Sequence, residues 1–171
     1  MSTLFQGRGS PVSIGPGDPV RIIGERINPS GRVKFRQALL DGEWEYLTRE
    51  ALKQVEAGTD ILDVNIGAKG IDETIVLPEA VKRVAEAVEV PLSIDTRNPA
   101  ALEAALKVCP GRPLVNSIGG EEKILKENLP IVAVRGAGHR AVHGAGWHSQ
   151  YCRRAAEDRP PGAGGVSQSW S

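Results

Sequence analysis

Short apolar runs alternate with helical stripes along the middle of the chain. Val20-Arg21-Ile22-Ile23-Gly24 predicts a strand, followed by a polar loop from Glu25 to Lys34. Leu47, Ala51, Leu52 and Val55 fall on one face of a helix over Trp44–Glu56, with Gly58 as its stop. Ile61–Ile66 predicts the second strand, and Ala80, Val81, Val84, Ala85 and Val88 stripe a helix over residues 75–88. Pro91–Asp95 predicts the third strand. Pro99 then suits a helix's first turn, and Ala101, Leu102, Ala105 and Leu106 form that helix's apolar face. Pro113–Ile118 predicts the fourth strand, and Gly119-Gly120 leads into a short helix over Glu121–Asn128.

Four strand–loop–helix units at this spacing predict a parallel sheet in the order 1-2-3-4, with the helices outside. Each strand ends on polar residues: Glu25, then Asp63 with Asn65, then Asp95, then Asn116. Asp and Asn are common in strand-end turns. The same feature at one relative place on four successive strands is the pattern of a (β/α)8 active-site face, where ligands meet the carboxyl ends of the strands.

The two ends of the chain read differently. Residues 1–19, rich in Gly, Pro and Ser, predict a flexible leader without regular structure, ahead of a domain over residues 20–133. Residues 134–171 contain no Leu, Ile, Met, Phe or Lys, and show neither helical nor strand period. Such a segment cannot bury enough apolar surface to order itself, so a disordered tail is expected. His139, His143, His148 and Cys152 have zinc-like spacing, but no flanking element is predicted to hold four ligands, and no metal site is assigned. Shifting the tail by one nucleotide accounts for it better. Trp147 running into His148 then must give Gly, and the shifted text allows Ile-Ala-Leu-Phe-Met-x-Leu-Asp-Gly-Ile-Pro-Ser-Thr-Ala. That is an apolar strand and polar loop where the rhythm demands one, so a frameshifted C-terminus is expected.

Charge and composition then narrow the function classes. The chain carries 21 basic and 21 acidic residues, which argues against an electrostatic nucleic-acid binder. No apolar run is long enough for a spanning helix, and no signal peptide is read, so no membrane association is expected. Two cysteines are too few for a disulfide scaffold, and a cytoplasmic address is the default.

Four ordered motifs carry a resemblance: Ile22-Ile23-Gly24-Glu25-Arg26-Ile27-Asn28-Pro29, Asp63-Val64-Asn65-Ile66-Gly67, Ser93-Ile94-Asp95-Thr96 and Val115-Asn116-Ser117-Ile118. Together they resemble the pterin-binding (β/α)8 family, above all methyltetrahydrofolate:corrinoid methyltransferases and the folate-binding module of cobalamin-dependent methionine synthase. The resemblance covers roughly residues 12–133 and implies an α/β fold, the first half of a (β/α)8 TIM barrel. It implies that Asp95 and Asn116 bind the amino-pyrimidine edge of the pterin. Asp63 and Asn65, in the DxN motif, line the same pocket, and Glu25 and Asn28 match the GERxN loop. A carboxylate suits two adjacent ligand donors, and an Asn amide both donates and accepts.

By the same resemblance the substrate is methyltetrahydrofolate. The methyl acceptor is the cobalt of a cobalamin or other corrinoid carried by a partner protein. Polar groups that assist N5 include residues of later strands, so no catalytic residue is assigned and turnover by this chain alone is not expected. Two alternatives stand beside this one. Dihydropteroate synthase shares fold and pocket, but N-x-T-P-D-S-F and D-x-G-G-E-S-x-R-P segments would be expected where Arg26-Ile27-Asn28-Pro29-Ser30-Gly31 and Asp63-Val64-Asn65-Ile66-Gly67 stand. The other is a non-catalytic fragment. Four strands leave two open sheet edges, so a homo-oligomer is expected.

Overall fold

A computed structural model describes residues 2–135. In chain order the elements are β1 (Thr3–Phe5), β2 (Val12–Ile14), β3 (Ile23–Ile27), α1 (Val33–Asp41), α2 (Trp44–Glu56), β4 (Ile61–Val64), α3 (Glu73–Ala87), β5 (Leu92–Asp95), α4 (Pro99–Val108), β6 (Leu114–Asn116) and α5 (Glu122–Arg135). Strands β3-β4-β5-β6 form a parallel sheet in that order, and β1 pairs antiparallel with β2. The expected strand order holds. The architecture is the first half of a (β/α)8 barrel, as expected.

Side chains on a strand alternate between its two faces. Leu62, Val64, Leu92, Ile94 and Val115 all join one buried core with Leu77, Val81 and Val84 of α3 and Leu102 and Leu106 of α4. Their neighbours Ile61, Asp63, Ser93, Asp95, Leu114 and Asn116 therefore occupy the other, inner face. The register aligns Asp63 with Ser93, Ser93 with Leu114, and Asp95 with Asn116. Helix starts follow capping chemistry. Asn98 Oδ1 accepts from the N–H groups of Ala100 and Ala101, just before Pro99, and Asp72 Oδ1 accepts from Thr74 N–H.

Three expectations need correction. Residues 1–19 are not a leader without regular structure. Phe5 and Val12 of the β1–β2 hairpin bury against Ile61, with Ile14 and Leu114 alongside. Gln6 and Arg112 exchange backbone bonds of 2.9 and 2.8 Å. Burying one Phe is worth roughly 1.5–3 kcal/mol, enough to hold a short hairpin despite its Gly and Pro content. Because Ile61 and Leu114 open their strands, the hairpin closes the amino-terminal end of the inner face.

The second correction is α1, which the polar text after Glu25 concealed. Its apolar positions Phe35, Ala38 and Leu39 do bury, but it spans only nine residues and lacks an N-capping side chain; Gly42, at φ 71°, ends it. Third, α5 runs past Asn128 and through Pro130. Proline forfeits one helical hydrogen bond, yet Leu129, Ile131 and Val132 pack on the core and carry the helix onward. The expected tail over residues 134–171, with its histidines and Cys152, lies outside the described residues apart from Val134 and Arg135, which end α5.

Candidate pterin site

The inner face gathers its polar side chains at the carboxyl ends of the strands, opposite the hairpin. Asp63 Oδ1 accepts two hydrogen bonds, from Ser93 Oγ at 2.6 Å and from Asn116 Nδ2 at 3.1 Å. Asp95 Oδ2 accepts from Asn65 Nδ2 at 2.8 Å, while Asn65 Oδ1 accepts from Gly67 N–H at 2.9 Å. Four of the sequence-predicted residues, Asp63, Asn65, Asp95 and Asn116, thus come together from three adjacent strands. Glu25 is exposed and close enough for its charge to act on Asp63, but it lies in the middle of β3, which runs on to Ile27, and not at the strand end expected from sequence. Asn28 is not hydrogen-bonded to them among the described residues. Its Oδ1 accepts from Ser30 N–H at 2.9 Å and shapes its own loop.

Burial pushes the Asp63 carboxyl above the ordinary aspartate value. Bonds from Ser93 and Asn116 oppose that rise, and the carboxylates of Asp95 and Glu25 add to it. The face is therefore acceptor-rich. Among the described residues no hydrogen bond is made by the second oxygen of Asp95 or by the side-chain oxygen, Oδ1, of Asn116. Such a set suits a planar heterocycle edge bearing adjacent N–H donors, which is what an amino-pyrimidine presents. Among the described residues no group of three or more His, Cys, Asp or Glu side chains is placed to hold a metal ion.

Three participants were not singled out from sequence. Ser93 sits fully buried one strand from Asp63, and a lone serine inside a strand gives no signal without the register. Glu73 and Thr96 form the rim: Thr96 Oγ1 donates to Glu73 Oε2 at 2.5 Å and accepts from Asn98 N–H at 3.1 Å. This ties the first residue of α3 to the loop after β5. It also leaves Asn98, not Asp95, as the cap of α4.

A family model described as "Pterin binding enzyme" matches residues 24–155, most of the chain. The chain belongs to the pterin-binding enzyme family. It is 34% identical over 110 residues to a methylcorrinoid:tetrahydrofolate methyltransferase of Eubacterium limosum, covering 64% of this chain and 40% of that one. It is 28% identical over 123 residues to a methionine synthase of Mycobacterium tuberculosis, covering 69% of this chain and 10% of that one. The chain therefore spans less than half the length of these relatives.

Among solved structures, a dihydropteroate synthase of Thermus thermophilus superposes with a TM-score of 0.50 at 25% identity, over 78% of this chain and 46% of that one. The dihydropteroate synthase of Xanthomonas albilineans does so with a TM-score of 0.52 at 19% identity, over 91% and 58%. The family match continues past Ala133, into residues for which a frameshift was expected. No described helix is long and apolar enough to cross a membrane.

Proposed function

We propose that this chain forms the N-terminal half of a folate-binding face that serves methyl transfer between methyltetrahydrofolate and a corrinoid carried by a partner protein. The observation that carries it is the pair of acceptors Asp95 and Asn116, held by Asn65 and Asp63, in a chain 34% identical to a methyltransferase named for both reactants. Asp95 and Asn116 would take the donors of the pterin ring, with Asp63 and Asn65 behind them. Glu25, within β3, and Asn28, in the loop that follows, would border the bound ring.

When bound, the partner's corrinoid would supply the cobalt(I) nucleophile that accepts the methyl group. The N5–methyl bond breaks as the new bond forms, its electrons stay on N5, and N5 takes a proton. Tetrahydrofolate leaves poorly without that proton or an equivalent hydrogen bond. The role of the described residues is to bind and orient the ring, so that the N5 methyl points out of the strand ends toward the acceptor. The relative's name describes transfer toward tetrahydrofolate, and the same face serves both directions, since a catalyst lowers one shared barrier.

The likeness to dihydropteroate synthase structures supports a second reading, condensation of a pterin diphosphate. The first two strand-end loops lack the segments that enzyme would be expected to carry. Calorimetric titration separates the two. We expect 5-methyltetrahydrofolate to bind, and Asp95→Asn to abolish most of that binding. A protein that binds a dihydropterin diphosphate and not 5-methyltetrahydrofolate would overturn the methyltransferase reading. Transfer of the methyl group to free cob(I)alamin, followed by its visible spectrum, tests the reaction in a chain that also carries the later strands, since turnover by this one alone is not expected.

A further inference from the structure

We propose that Asp63 is a positioning residue: clamped by Ser93, it holds the Asn116 amide in the one orientation that turns its carbonyl oxygen to the ligand. This deepens the pterin reading above and rests on it for the ligand, though not for the geometry.

Asp63 is 3% exposed and Ser93 is 0% exposed. They lie opposite each other on neighbouring strands, so backbone pairing fixes the distance between them. The Ser93 hydroxyl, 2.6 Å from Asp63 Oδ1, and Asn116 Nδ2, 3.1 Å from the same oxygen, together fix the plane of the carboxylate. A flipped Asn116 amide would set its oxygen against that carboxylate oxygen, lone pair against lone pair, and lose the bond as well. An amide carries its acceptor at one end and its donors at the other. A flip would therefore replace acceptor by donor at the ligand edge. Asn65 does the parallel work for Asp95, anchored on Gly67 N–H and donating to Asp95 Oδ2. Two relays, one ending on Asn116 and one on Asp95, thereby aim acceptors at the same place. Asp63 acts through Asn116 and does not itself touch the ring.

A double-mutant cycle on the 171-residue chain tests this, with 5-methyltetrahydrofolate affinity read by calorimetry. We expect Asp63→Ala to weaken binding on the order of 10- to 100-fold. Asp63→Asn, which keeps an oxygen for Ser93 and Asn116, should recover affinity to within about threefold of wild type. In the Asn116→Ala background, Asp63→Ala should change nothing further. An equal loss in both backgrounds would mean that Asp63 meets the ligand directly, and would overturn the proposal. So would undiminished affinity in Asp63→Ala.

Should Asp63→Ala fail to fold, Ser93→Ala gives the milder version of the same cycle. The side-chain amide signals of Asn116 in a 1H–15N spectrum supply a readout without ligand. Their protons should exchange slowly in wild type and faster in Ser93→Ala. Slow exchange in a wild-type protein that ignores folate would sink the pterin reading and leave the positioning role standing. Equal exchange in both proteins would sink the positioning role.

Discussion

The two faces of the one parallel sheet obey the same backbone and do opposite work. On the helix side, Leu62, Val64, Leu92, Ile94 and Val115 are all buried among apolar side chains of α3, α4 and their neighbours. On the inner side the same strands place Ile61 and Leu114 low, under the hairpin, and Asp63, Ser93, Asp95 and Asn116 higher up. One step along a strand thus moves from cohesion to chemistry. Because the alternation is strict, stability and ligand recognition reside on separate side chains only one residue apart. The fold can sustain a polar, partly desolvated inner face because the outer face is apolar throughout.

The largest expected effect tests the outer face. Ile94→Ala should cost about 2–5 kcal/mol of stability, as truncations of buried aliphatic side chains do. Denaturant unfolding measures the loss, while the folate affinity of the protein that remains folded should stay near wild type. Its neighbour Asp95 should behave in reverse. Asp95→Asn puts an amide where one ligand donor expects an oxygen, and it must still serve Asn65. Hydrogen bonds to charged groups contribute about 1.5–3 kcal/mol. We expect a loss of affinity on the order of 10- to 100-fold, with the melting temperature little changed. If Ile94→Ala weakened binding at constant fold, or Asp95→Asn unfolded the chain, the separation of faces would fail.

That separation explains what could be read from the sequence. Short apolar runs at Ile61–Ile66 and Pro91–Asp95 disclosed the strands, and the polar residues near their ends stood out within them, because both are local properties. Asp63, Asn65, Asp95 and Asn116 were accordingly visible, and the sheet brings them together. What escaped depends on contacts far apart in the chain. Ser93 matters through its pairing with Asp63, thirty residues away. The hairpin orders because Phe5 finds Ile61, which no Gly and Pro count can reveal. Helix α1 was hidden because three buried residues among charged ones give too weak a period, and Asn28 matched a loop motif while its side chain is used by Ser30.

A smaller effect separates the rim from the site. Asn98 caps α4 through the N–H groups of Ala100 and Ala101, and Asn98→Ala should cost about 1 kcal/mol of stability. Folate affinity should be unaffected, since Asp95 takes no part in that cap. A matching loss of affinity would show that the cap of α4 and the ligand site are one unit.

The finest test sets two carboxylates against each other, one from each side of the fold. Glu50, on α2, is pushed up by burial, but bonds from Arg32 at 2.6 Å and Lys53 at 3.4 Å outweigh this and hold it below the ordinary value of 4.5. Its contribution to stability is full above 4.5 and is lost as pH falls through its lower folded value. Asp63 is opposite in sign. Burial raises it above 3.8, so the folded protein binds its proton more tightly than the unfolded chain does. Stability from Asp63 is therefore present below 3.8 and lost as pH rises through its folded value, leaving a net cost at neutral pH. Glu50→Gln should accordingly lower the melting temperature at pH 7, and the deficit should shrink in strong acid. Asp63→Asn should raise it at pH 7, and the gain should vanish near pH 4 and below. Its amide oxygen still accepts from Ser93 and Asn116, while the repulsion from Asp95 and Glu25 is gone. Thermal melts of both variants across that range decide the matter. An Asp63→Asn protein less stable than wild type at neutral pH would show that the inner face needs this charge to hold itself together.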